Sequence, residues 1–212
     1  MNISTMNQTA TILLRVGLLS LLSLGACSKS PEKDLLGKWQ GMNITETAEF
    51  FPDGTILTST DDKDTAAGKY SLLDATRLKI ELGGKMAHDG PLVCSFSIKG
   101  EELELSDPSG KTSHYERAFS PKRKNALIGK WSFTTNEGTI EFFPDGKLKI
   151  SADKETISSS YSFLQDGHLK LESPGNASAK SGELWQVFFD QDRKRMTIID
   201  QHRQKEILKR AD

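Results

Sequence analysis

The stretch "EFFPDG" occurs at 49–54 and again at 141–146. Around the second copy, "TIEFFPDGKLKISA", the side chains alternate. Ile140 and Phe142 are interleaved with Thr139 and Glu141, and Leu148 and Ile150 with Lys147, Lys149 and Ser151. A period of two describes strands with one buried and one wet face. "PDG" joins two such strands: Pro pre-sets φ at the first corner, Asp tolerates the second, and Gly takes a positive φ. The hexapeptide is therefore a strand end plus a hairpin turn, and its recurrence is architectural rather than catalytic.

The recurrence extends outward. Residues 35–60, "LLGKWQGMNITETAEFFPDGTILTST", align without a gap on 127–152, "LIGKWSFTTNEGTIEFFPDGKLKISA", with 12 of 26 positions identical. With one residue deleted, "YSLLDATRLKIE" (70–81) meets "YSFLQDGHLKLE" (161–172), six of 12 identical. The chain is an internal duplication. Strands are expected in the first copy at 38–44, 47–51, 55–60, 67–73, 77–82, 92–99, 102–107 and 112–118. The second repeats them at 130–135, 138–143, 147–152, 158–164, 168–172, 184–190, 195–200 and 204–210. Short strands so evenly spaced suit an up-and-down antiparallel barrel. The expected fold is all-β, two tandem eight-stranded barrels over 35–118 and 127–212, joined by the polar linker "FSPKRKNA" at 119–126. No helical periodicity appears beyond the N-terminal segment.

That segment differs from the rest. Arg15 precedes "VGLLSLLSLGA", 11 residues that stop at Cys27. The run is shorter than the ~20 residues of a membrane span and has the form of a secretory signal peptide. Its end, Leu24-Gly25-Ala26-Cys27, resembles the lipobox of bacterial lipoproteins. The resemblance implies a signal peptide over 1–26, a diacylglycerol on the Cys27 thiol with acylation of the new amine, and a lipidated tether at 27–34. It also implies anchoring in the cell envelope through the N-terminal lipid. In a host with two membranes, Ser28, where an Asp would mark retention, implies the periplasmic face of the outer membrane. With Cys27 consumed, Cys94 stands alone and no intramolecular disulfide can form. Within "VCSFSI" it reads as a small buried hydrophobe. The near balance of 28 Lys+Arg against 29 Asp+Glu argues against a nucleic-acid partner, which calls for a basic face.

Each copy opens with Gly-Lys-Trp, at 37–39 and 129–131, and closes with an arginine, Arg117 and Arg210. This resembles bacterial lipocalin-like domains, in which a G-x-W motif enters the first strand and an arginine of the last strand lies across the Trp ring. The resemblance implies structural closure by Arg117 on Trp39 and by Arg210 on Trp131. The copies are shorter than full lipocalins, have no disulfide and lack the final helix. A barrel of eight strands is just wide enough to be filled by side chains or to hold one small ligand. From the first copy to the second, Ala48 becomes Ile140, Thr58 becomes Ile150, Leu72 becomes Phe163, Cys94 becomes Trp185 and Ile98 becomes Phe189. Only Phe96 to Val187 and Tyr115 to Leu208 go the other way. Any internal pocket is therefore expected in the first copy, lined by Ala48, Phe50, Ile56, Thr58, Tyr70, Leu72, Cys94, Phe96 and Ile98. The alternative is that this barrel narrows around its smaller residues.

No chemistry converges. His88, His114, His168 and His202 stand at no metal-ligand spacing from one another or from a Cys. There is no G-x-S-x-G elbow and no phosphate-cradling loop. "DDKD" at 61–64 lacks the Gly and terminal Glu of a calcium loop. No catalytic residue, metal or cofactor is expected. The leading expectation is a non-enzymatic envelope lipoprotein that binds a small apolar ligand or an envelope protein. A second is a structural assembly factor working through sheet edges or barrel rims. A third is an inhibitor of a cell-wall hydrolase, from "AAGKY" at 66–70, which is similar to a stretch of a lysozyme-inhibitor barrel lipoprotein.

Overall fold

The computed structural model describes residues 30–60, 64–84, 90–152, 155–172 and 182–211. They form two closed antiparallel barrels of eight strands each. A short helix α1 (Pro31–Leu35) leads into β1 (Gly37–Gly41), β2 (Glu46–Phe50), β3 (Thr55–Thr60) and β4 (Asp64–Leu72). The first barrel continues through β5 (Arg77–Leu82), β6 (Leu92–Lys99), β7 (Glu102–Ser106) and β8 (Thr112–Arg117). The second repeats the pattern: α2 (Pro121–Leu127), β9 (Gly129–Phe133), β10 (Thr139–Phe142), β11 (Lys147–Ala152) and β12 (Glu155–Phe163). It ends with β13 (His168–Glu172), β14 (Glu183–Phe189), β15 (Arg195–Asp200) and β16 (Lys205–Arg210). Each strand pairs with the next, and β1–β8 and β9–β16 pairing closes each sheet on itself.

The sequence shows no helical periodicity here, yet two short helices form, the second of them in the segment between the barrels. At five and seven residues they are too short for a 3.6-residue period to emerge. Their signal is local: each starts with Pro in its first turn after a serine, a position where the missing N–H costs nothing. In α2 the Ser120 hydroxyl accepts the Arg123 N–H at 3.1 Å, an N-cap. Each helix ends on a leucine, Leu35 or Leu127, that is buried in the core of the barrel it precedes. The helices thus plug the barrel ends at which the chain enters.

The duplicated hexapeptide is held the same way in both barrels. Gly54 and Gly146 have φ of +76° and +81° and donate to the carbonyls of Phe51 and Phe143 at 3.1 and 3.2 Å. The Asp53 and Asp145 carboxylates accept the backbone N–H groups of Thr55 and Lys147; the Thr55 side chain and then its N–H lower the Asp53 pKa, and the Lys147 N–H is the first cause of the lowered Asp145 pKa. Across the turn, the Tyr70 and Tyr161 hydroxyls donate to the same Phe51 and Phe143 carbonyls, each at 2.8 Å. Their rings meet Phe50 and Phe142 edge to face at 5.1 and 5.2 Å. One tyrosine therefore locks one hairpin, which explains why "FFPDG" and the later "YS" recur as a pair.

The barrels are packed together. Asn43, held at a φ of +67° after β1, donates its N–H to Phe189 O at 3.3 Å and accepts the Gln191 N–H at 3.0 Å. Gly167, in the β12–β13 turn, has a φ of +86° and lies so close to Ala118 O that a Cβ would meet it at 2.8 Å.

Candidate functional site

The closure residues come together in both barrels. The Arg117 guanidinium carbon lies 3.9 Å from the Trp39 ring centroid, and that of Arg210 lies 4.2 Å from Trp131. Each indole N–H donates to the last residue of the plug helix, Trp39 to Leu35 O at 2.8 Å and Trp131 to Leu127 O at 2.9 Å. Each guanidinium donates to two further carbonyls of the same turn. Arg210 reaches Ile128 O at 2.8 Å and Ala126 O at 2.6 Å, and Arg117 binds the carbonyls of Leu36 and Asp34. The arginine is a C-cap supplied from the far end of the chain, satisfying carbonyls that a helix terminus leaves open. Burial pushes both guanidinium pKa values down. The G-x-W glycine is part of this device: Gly37 and Gly129 have φ of +101° and +116°, and a Cβ would lie 3.1 and 2.8 Å from the arginine Nη1.

The nine residues expected around an internal pocket do line the interior of the first barrel. Ala48, Phe50, Ile56, Tyr70, Cys94 and Phe96 belong to one buried cluster, with Leu72 and Ile98 packed against it. Thr58 shares their face through its pairing with Ala48 and Ala66. Burial raises the Cys94 thiol pKa, as for a structural cysteine. Cys27, His88 and the 61–63 part of "DDKD" lie outside the described residues. His114 faces Glu104 at 3.6 Å, His168 faces Asp166 at 3.0 Å, and His202 lies in an exposed turn. Among the described residues no group of three His, Cys, Asp or Glu is placed to hold a metal ion.

A cavity of about 420 Å³ lies between the barrels. Its first wall is the rim of barrel one: Asn43, Ile44, Glu46 and Thr60. Its second is the outer face of barrel two, where Phe188, Thr197 and Ile207 form one row across β14, β15 and β16. Charged groups edge it. Glu46 accepts the Tyr115 hydroxyl at 3.1 Å, and burial followed by that carboxylate raises the Tyr115 pKa. Asp190 binds Arg195 Nε at 2.8 Å and its backbone N–H at 2.7 Å.

An ion network joins the two barrels. Glu116 of β8 is 1% exposed and points outward from barrel one. Its Oε1 accepts from Arg123 Nη1 at 3.0 Å and its Oε2 from Arg193 Nη2 at 2.6 Å. Arg123, fully buried, also donates to Val187 O and lies 5.5 Å from the Phe189 ring. Burial pushes its pKa down to about 10 against the pull of Glu116. Nothing in the polar stretch "FSPKRKNA" marks Arg123 out from the lysines on either side of it. Among the described residues both sheets are closed and present no edge strand.

The molecule thus belongs to the class of tandem closed antiparallel barrels. No protein-family model matches the chain, and no curated protein matches it. Among solved structures it is similar to a protein of unknown function of the DUF3598 family from Nostoc punctiforme. That match has 12% identity, covers 86% of this chain and 98% of the other, and has a TM-score of 0.28.

Proposed function

We propose that this chain is a lipid-anchored, non-enzymatic binding protein of the cell envelope, with its ligand or partner seated in the cleft between two lipocalin-like barrels. The cleft carries the reading. Small-molecule sites typically measure ~300–1,000 Å³, are mostly apolar with a few polar groups, and favour domain interfaces. The cavity of about 420 Å³ between the barrels has that size and place, with Ile44, Phe188, Phe189 and Ile207 as apolar surface among polar and charged residues that include Glu46 and Arg195. The anchor is supported by "LGAC" at 24–27, and the lipocalin-like assignment by the paired Gly-x-Trp and arginine closure.

Two measurements test this. Cys27→Ala should abolish fatty-acid labelling and leave the precursor uncut; equal labelling would reject the anchor. Native mass spectrometry of protein purified from its own envelope should show a retained molecule, or crosslinks to an envelope protein through the cleft. Thr197→Arg, which crowds the cleft from an outward position, should lose both. Retention unchanged in that variant would place binding elsewhere and refute the cleft reading.

A further inference from the structure

We infer that the α1 end of the first barrel rests on the bilayer surface, so that the cleft between the barrels opens away from the membrane. This rests on the lipid-anchored reading above. Only Ser28, Lys29 and Ser30 separate Cys27 from Pro31, where α1 begins. A fully extended chain spans at most ~3.3–3.6 Å per residue, so at most about 14 Å can separate the lipidated residue from the helix. That helix is fastened to the barrel: its Leu35 is buried in the core, and Arg117 binds the carbonyls of Asp34 and Leu36. A short tether attached to a rigid plug leaves the barrel little freedom to turn over.

The end so presented suits a membrane interface. The β2–β3 and β4–β5 hairpins project from it, with the large apolar Leu73 48% exposed at the start of the second turn. That turn is rigid. Leu73 N–H donates to Arg77 O at 2.9 Å, and the Asp74 carboxylate accepts the Thr76 and Arg77 N–H groups at 2.9 and 2.8 Å. Leu73 is therefore held out from the fold. Charges here are mixed, with Glu32 next to Lys33 in α1 and Asp74 paired to Arg77 at 2.6 Å. Among the described residues Lys122 also stands beside an acid, Glu102, so anionic headgroups supply little attraction, and contact depends on the tether and on Leu73.

The cleft lies at the other end of the same strands. Glu46 opens β2 and Thr60 closes β3, whereas the plug-side turn joins Phe50 to Thr55. At ~3.3 Å per residue, strands of this length set the cleft rim roughly 15 Å above the plug end. The cleft then faces the aqueous compartment, and its ligand arrives from water instead of from the acyl region of the bilayer.

The test uses the full lipidated chain in vesicles of phosphatidylethanolamine and phosphatidylglycerol, with one fluorophore on an introduced thiol. Leu73→Cys labels the plug end and Lys111→Cys the opposite end. The buried native Cys94, with its raised thiol pKa, leaves the introduced site selective. A headgroup-attached quencher should quench the Leu73→Cys probe several-fold more than the Lys111→Cys probe, equally at low and high salt. Equal quenching, or stronger quenching at position 111, in protein shown by mass to carry lipid would overturn the orientation alone. Protein carrying no lipid on Cys27 would overturn the anchor, and the orientation with it.

Discussion

Replacing Arg123 with Ala should destabilise the protein by about 3 kcal/mol. Breaking a buried ion pair from one side typically costs 3–5 kcal/mol, because the remaining charge stays buried without its counterpart. Here Glu116 is 1% exposed and keeps Arg193 at 2.6 Å, which puts the loss at the lower end of that range. The Val187 carbonyl also loses a donor. The opposite perturbation should be nearly harmless. The Arg123 guanidinium is pushed down from 12.5 to about 10, so desolvation outweighs the attraction of Glu116. A base depressed in the folded state carries its cost at every pH below that value, where both folded and unfolded chains hold the proton. Removing the whole network, as Glu116→Leu with Arg123→Met and Arg193→Met, should leave stability within about 1 kcal/mol of the parent or raise it. Urea titrations read by fluorescence of Trp39, Trp131 and Trp185 measure both variants. A cost below about 0.5 kcal/mol for Arg123→Ala, the range of an ordinary surface change, would refute the reading of this network as the fastening between barrels.

Three further outcomes are expected. Gly129→Ala should destabilise more than Gly37→Ala, because the added Cβ meets Arg210 Nη1 at 2.8 Å against 3.1 Å for Arg117; an unchanged melting temperature in both variants would count against the shared Gly–Trp–Arg device. Tyr161→Phe should cost about 1 kcal/mol for the lost bond to Phe143 O, with hydrogen-exchange protection falling first around 143–147; unchanged protection there would reject the tyrosine lock. The Asp74 carboxyl is held down to about 2, from 3.8, first by the Thr76 N–H and then by Arg77. It therefore adds stability above its ordinary pKa that is lost as pH falls through about 2. Asp74→Asn should flatten the acid limb of the stability curve between pH 4 and 2, and a limb parallel to the parent's would disprove that contribution.

The barrels were legible in the sequence because the signals that specify them are local and occur twice. The hairpin needs Pro-Asp-Gly, the closure needs Gly-x-Trp and a distant arginine, and each strand alternates along its own length. What decides the plug helices is local too, but spans a single turn. Ser120 and Pro121 open α2, and five to seven residues show no helical period. The cleft was not legible in this way, since it depends on where one barrel meets the other, and a period of two says which face of a strand is apolar without saying what covers the second face.

A trace of that interface is nonetheless present in the places where alternation fails. Along β14, Val187 and Phe189 fill barrel two, yet Phe188 between them is 3% exposed on the outside. Along β15, Ile198 points inward and its neighbour Ile199, on the outer face, is 2% exposed. The corresponding outward positions of the first copy are Ser97 and Ser106, and Ile207 stands where the first copy has His114. Copy two therefore acquired an apolar outer wall that copy one lacks. Three apolar residues on the wet side of a barrel would be a liability if exposed. Two are buried, and Phe188 and Ile207 line the cleft. Polar partners converge on the same junction, with Glu116 standing where copy two has Lys209 and Arg123 rising from the segment between the repeats. The duplication thus kept one copy's closure and hairpin chemistry in both barrels, while, beside the changes inside the barrels, a set of polar-to-apolar differences falls on the outer surface of barrel two that faces barrel one. That pattern is expected when the functional unit is the pair and its junction, and not either barrel alone.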